Sequence, residues 1–121
     1  MGFFSSKATF PWIELTSSEQ LKEIIESSTE KPVLLFKHST RCSISSMAKS
    51  RFESNWILNN EEFPTYYLDL IAFRAISAEI AELTGVEHQS PQAIVIKDKK
   101  AIYNASHNGI DAKEISALLN D

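Results

Sequence analysis

Apolar residues recur along this chain in short blocks, and the spacing inside each block identifies an element. Val33-Leu34-Leu35-Phe36, running on into Lys37-His38, is uninterrupted at its start, the pattern of a central strand covered on both faces. Upstream, Trp12-Ile13-Glu14-Leu15 reads as a first strand. Leu21, Ile24 and Ile25 then fall at i, i+3, i+4 spacing, with Glu19, Lys22, Glu23 and Glu26 on the wet side and Thr16 or Ser17 as cap. The polar stretch from Ser27 to Pro32 ends that helix. Downstream, a second helix is expected from about Cys42 to Asn59, with Ile44, Met47, Ala48, Phe52, Trp56 and Ile57 at helical spacing as core contacts. Thr65 to Leu70 reads as a third strand. Phe73, Ile76, Ile80 and Leu83 line a third helix, closed by Gly85 just past its end. Val86 to Ser90 forms a loop into Pro91. Ala93 to Ile96 and Ala101 to Ala105 pair as a hairpin around Asp98-Lys99-Lys100. Asp111 caps a last helix carrying Ile115, Leu118 and Leu119, and residues 1–10 are expected to form a short arm.

The resulting order is β-α-β-α-β-α-β-β-α. Helices between strands imply parallel pairing, and the hairpin adds an antiparallel section, so the expected class is α/β with a central mixed sheet flanked by helices. At 121 residues the chain suits one domain, here 1–121, with a real core. Hydrophobic residues make up 43% and charged residues 23%, ordinary values for a globular protein. The formal net charge of −4 offers no electrostatic reason to expect nucleic acid as a partner. No stretch approaches the ~20 apolar residues of a membrane-spanning helix, and the N-terminus lacks the pattern of a signal peptide. Neither membrane nor nucleic acid is therefore an expected partner.

Cys42 is the chain's single cysteine. One unpaired thiol without an export signal points to a reducing cytoplasm. The thiol lies where the expected central strand gives way to a helix, and a helix N-terminus stabilises a thiolate. Three residues on stands Ser45, so the chain carries C-x-x-S and has no second thiol for an internal disulfide. Any redox cycle needs a thiol from outside. Ser45 Oγ is placed to donate a hydrogen bond to the thiolate, and Arg41 adds positive charge beside it. His38, four residues before the cysteine, reads either as a proton donor or as a strand-end residue with a structural hydrogen bond. His88 and His107 match no common zinc spacing with Cys42, so no metal site is expected. His107 is expected to end the last strand beside Asn108-Gly109.

A β-α-β start, a thiol opening the second helix and Ser90-Pro91 just before the fourth strand together resemble the thioredoxin fold. The resemblance implies a cis bond at Ser90-Pro91, facing the thiol. The segments from Phe36 through Lys37-His38-Ser39-Thr40-Arg41-Cys42-Ser43-Ile44 to Ser45, Val86 to Gln92, and Tyr103 to His107 are together similar to the YtxJ-type monothiol bacilliredoxin family, over about Trp12 to Leu119. Members often carry proline directly after the cysteine, where this chain has Ser43. The resemblance implies removal of bacillithiol from protein mixed disulfides. Cys42 and Ser45 would be the catalytic pair, with His38, Arg41, Ser43, Ser90 and Pro91 against the substrate. Bacillithiol would be a co-substrate rather than a bound cofactor, and the partners would be bacillithiolated client proteins and a low-molecular-weight thiol. Two other classes stay open: an iron–sulfur carrier of the monothiol glutaredoxin kind, although its C-G-F-S motif is absent, and a client-binding protein without turnover.

Overall fold

A computed structural model describes Phe10 and residues 12–39, 43–56 and 62–119. The expected arm (apart from Phe10), Thr40, Arg41 and Cys42, and Ile57 to Asn59 of the expected second helix lie outside the described residues. The elements are β1 (Ile13–Glu14), α1 (Ser18–Ser27), β2 (Val33–His38), α2 (Ser43–Asn55), β3 (Thr65–Asp69), α3 (Arg74–Thr84), β4 (Gln92–Lys97), β5 (Lys100–Ser106), a single 3₁₀ turn (His107–Gly109) and α4 (Ala112–Leu119). This is the order expected from the sequence.

Local chemistry accounts for the boundaries. Ser17 caps α1, its hydroxyl accepting from Gln20 N–H at 3.1 Å. Gly85 ends α3 in the left-handed region, with φ of 73°, where a Cβ is disfavoured. Asp111 accepts from the amides of Lys113 and Glu114 at 2.9 and 3.4 Å and so opens α4. Asp98 and Lys99 both take positive φ, 53° and 67°, making a two-residue hairpin turn whose twist matches the strands on either side.

The sheet runs β1-β3-β2-β4-β5. β2 pairs in parallel with β3 and antiparallel with β4, which places it at the centre. All six of its residues are buried, including Lys37 and His38. Alternation sends successive side chains to opposite faces. Val33 and Leu35 join Leu21 and Ile24 of α1 and Ile76 and Ile80 of α3 in one core. Leu34 and Phe36 join Phe52 of α2 and Ile115 of α4 in the other. Lys37 therefore follows the first face and His38 the second.

The structure corrects part of the expected lining of three helices. Ile44 and Met47 are not core residues: they are 61% and 67% exposed. The buried stripe of α2 is Ser45, Ala48 and Phe52, at i, i+3, i+7. Ile44 and Met47 occupy the neighbouring stripe, which turns away from the sheet. Hydropathy discounts Ser45, whose burial depends on hydrogen bonds, and so points to the wrong side of the helix. Leu83 of α3 and Leu118 of α4 are likewise exposed, at 51% and 40%.

Candidate active site

The C-terminal end of β2 delivers two polar side chains to opposite faces of the sheet, and each finds partners there. On the α2 face, His38 Nδ1 lies 2.7 Å from Ser45 Oγ. The Ser39 amide donates to the same oxygen at 3.1 Å. His38 is 5% exposed and Ser45 fully buried, so their polar atoms depend on these bonds rather than on water. Burial is the main cause holding the His38 imidazole below its ordinary pKa. The nearby Lys49 cation acts in the same direction, against weaker opposition from Asp69, Glu53 and the bond to Ser45. His38 is therefore neutral at neutral pH, with one protonated ring nitrogen.

Lys49 is tied into an aromatic cluster beneath this pair. Its ammonium bonds Glu53 at 2.7 Å and lies 5.8 and 5.4 Å from the ring centroids of Trp12 and Tyr67. Trp12 Nε1 donates to the same Glu53 carboxylate at 2.6 Å. The Tyr67 ring stands 5.6 Å from the His38 ring, and Trp12, Phe36 and Phe52 are within ring-contact distance of one another. His38 is thus flanked by the Tyr67 ring and bonded to Ser45.

On the α3 face, Lys37 Nζ donates to the Ser77 carbonyl at 3.2 Å and lies 3.3 Å from His88 Nδ1. Ser77 Oγ is 3.1 Å from the same ring nitrogen. Gln92, directly across from Lys37 on β4, donates through Nε2 to the Glu87 carbonyl at 2.9 Å. Burial lowers the Lys37 pKa from 10.5 to about 8.

Of the expected site residues, His38 and Ser45 are brought together by their hydrogen bond. Ser43 is the first residue of α2 and is exposed. The Ser90-Pro91 bond is cis, and Pro91 immediately precedes β4. The Ser90 hydroxyl is buried without a hydrogen-bond partner among the described residues. Arg41 and Cys42 lie outside the described residues. β5 ends at Ser106 rather than at His107. His107 opens the 3₁₀ turn with φ of 54°, and its amide donates to the Pro91 carbonyl at 3.0 Å. His107 also lines a cavity of about 250 Å³ with Ile44, Met47, Ala48 and Arg51. Among the described residues, no group of three or more His, Cys, Asp and Glu could hold a metal ion, and no helix is long and apolar enough to cross a membrane.

Sequence reasoning assigned no role to Lys37, Lys49 or Tyr67. The available signal was Lys37 itself: a charged residue inside a strand that reads as covered on both faces must find polar partners in the interior.

One solved structure, described as having a thioredoxin fold, is 32% identical, with 90% of this chain and 93% of that one covered and a TM-score of 0.75. Thioredoxin from Malassezia sympodialis is 18% identical over 93% of this chain and 90% of its own, with a TM-score of 0.69. Thioredoxin from Schistosoma mansoni is 14% identical over 90% and 93%, with a TM-score of 0.65. The last two show the fold alone. The five-stranded mixed sheet with four flanking helices is therefore a thioredoxin fold. A sequence model of the family described as "Monothiol bacilliredoxin BrxC" matches residues 13–115, which hold the C-x-x-S motif, the His38–Ser45 pair and cis-Pro91. With most of its length in that match, the chain belongs to the monothiol bacilliredoxin family, a family of thiol redox proteins with the thioredoxin fold.

Proposed function

We propose that this protein removes bacillithiol from protein mixed disulfides through Cys42. The observation that carries the reading is the pairing of one cysteine with Ser45 three residues on, in a chain whose family is monothiol bacilliredoxin. In the first step the Cys42 thiolate attacks the bacillithiol sulfur of the mixed disulfide. A new disulfide forms between Cys42 and bacillithiol, and the client leaves as its thiolate. In the second step an outside thiolate, a second bacillithiol, attacks the bacillithiol sulfur of that adduct. Oxidised bacillithiol departs and the Cys42 thiolate returns. Electrons balance, because one disulfide is consumed and one formed at each step.

The thiolate is the reactive form, and Cys42 immediately precedes the first residue of α2 in sequence, where helix N–H groups and the helix dipole favour negative charge. Ser45 is the proposed hydrogen-bond donor to it. Ser45 Oγ accepts from Ser39 N–H, and a His38 imidazole protonated at Nδ1 donates to it as well. The hydroxyl proton is then free to point at the thiolate. In the other His38 tautomer that proton is spent on Nδ1. The reading therefore requires the Nδ1–H form of neutral His38. Ser90 and Pro91 supply the edge against which an extended substrate lies, and Arg41 and Ser43, which flank Cys42 in sequence, add polar contacts to that substrate.

The deciding experiment mixes the reduced protein with a bacillithiolated client protein and follows both by intact mass. One bacillithiol is expected to move from the client to Cys42, and added bacillithiol should then remove it. A client that keeps its modification, or an adduct that persists in Cys42→Ala, would overturn the reading.

A further inference from the structure

Lys37, His88 and Gln92 belong to the segments that carry the family likeness, yet the exchange chemistry above gives none of them a task. All three converge on the sheet face opposite the His38–Ser45 pair. Lys37 is fully buried and has no ion-pair partner among the described residues. Among the described residues its ammonium meets neutral groups, the Ser77 carbonyl and the His88 ring. Gln92 is 1% exposed, and its Oε1 has no hydrogen-bond partner among the described residues. A buried cation without a counter-charge destabilises a fold, whereas an apolar side chain of similar length would pack there without that penalty. Stability alone does not explain a lysine here.

What the cluster does is visible in where its bonds go. Lys37 on β2 holds the His88 ring, and Gln92 on β4 holds the Glu87 carbonyl. Both acceptors lie in the segment between Gly85 and Pro91, which leaves α3 and enters β4. The two anchors stand directly opposite each other on neighbouring strands, so they fix that segment to the most buried part of the sheet.

We propose that Lys37 is a positioning residue: by holding His88, alongside Gln92 on Glu87, it sets the edge that Ser90 and Pro91 present to a substrate disulfide. An ammonium only donates, so its contact with Nδ1 requires that nitrogen to be unprotonated, with the ring hydrogen on Nε2. This holds whatever the substrate is. Only the kinetic consequence rests on the reading of Cys42 as the exchanging thiol.

The test compares the full chain with Lys37→Met and with His88→Leu, the second at an exposed position where folding is not at risk. Long-range proton–nitrogen NMR should find neutral His88 as the Nε2–H tautomer in the wild type and as a tautomer mixture in Lys37→Met. Exchange of the His107 amide, which donates to the Pro91 carbonyl, should speed up about tenfold in both variants, by local opening of that edge. Thermal unfolding of Lys37→Met should occur at the same or a higher temperature. Reduction of a bacillithiol–peptide mixed disulfide should slow about tenfold in both, the scale expected of a misplaced substrate edge, while alkylation of Cys42 by iodoacetamide keeps its rate. An unchanged His88 tautomer together with unchanged amide exchange would overturn the proposal, as would a fall in alkylation equal to the fall in exchange. Should the wild type not reduce the mixed disulfide, the functional reading fails by itself. The His88 spectrum and amide exchange then decide on the clamp alone.

Discussion

At the residue scale, Ser45 is the most informative position, because it stands where a dithiol protein would hold its second cysteine. Its hydroxyl is buried between His38 Nδ1 and the Ser39 amide. Ser45→Ala leaves both without that partner, and the expected loss is ~1–3 kcal/mol of unfolding free energy, read by urea denaturation. The same variant should slow alkylation of Cys42 at neutral pH, since the proposed donor to the thiolate is gone. Ser45→Cys restores a C-x-x-C spacing. Oxidation should then form an internal disulfide, seen as a loss of two hydrogens by mass, and the bacillithiol adduct should not accumulate. An adduct as long-lived as in the wild type would show that residue 45 does not reach residue 42. The serine was legible in the sequence as the missing second thiol. Its bond to His38 was not, because seven residues and the end of a strand separate them, and only packing decides which way each side chain turns.

At the element scale, α2 shows how far periodicity reaches. A helix was legible from the spacing of Ile44, Met47, Ala48, Phe52 and Trp56, but its buried stripe was not, since two adjacent stripes both carry apolar residues. The covered stripe is the one that meets Phe36 and Ile115. Phe52→Ala should therefore cost ~3–5 kcal/mol, the range for emptying a well-packed aromatic site. Met47→Gln should change stability by no more than ~0.5 kcal/mol, as at other surface positions. Chemical denaturation of the two variants side by side checks which stripe is buried. The β4–β5 turn is a further case. The sequence marks Asp98-Lys99-Lys100 as a turn, but two consecutive positive φ values at non-glycine residues follow from the strand register, which the pairing of β4 with β5 imposes.

For the molecule as a whole, the titratable groups with shifted values predict how stability depends on pH. His38 and His88 both have lowered folded values, mainly from burial, with Lys49 and Lys37 respectively adding to the effect. The unfolded chain then binds more protons, so stability falls as pH drops below about 6.5 through the lowered folded values. Lys37 acts in a higher window. Its folded value of about 8 lies below the ordinary 10.5, so the folded state gives up its proton first and stability rises with pH above about 8. The full effect corresponds to ~3 kcal/mol, and the part below pH 10 should appear as a rising urea midpoint. Above about 10 the trend reverses, because Tyr66, Tyr67 and Tyr103 are all raised by burial first and ionise sooner in the unfolded chain. Lys37→Met should abolish the rise between pH 8 and 10; a rise of the same size in that variant would assign it to other groups. The sequence by itself determined the order of elements, the single thiol with its C-x-x-S spacing, and the helix-end residues Gly85 and Asp111, because each follows from periodicity, count or backbone preference within a few neighbouring residues; it left the first cap open between Thr16 and Ser17, and the structure selects Ser17. Only the tertiary structure decided which stripe of α2 is covered, that His38 meets Ser45, and that Lys37 meets Ser77 and His88 from 40 and 51 residues away. Alternation along β2 assigns each side chain to a face, but the helix or loop that covers that face is chosen by the packing of the whole chain.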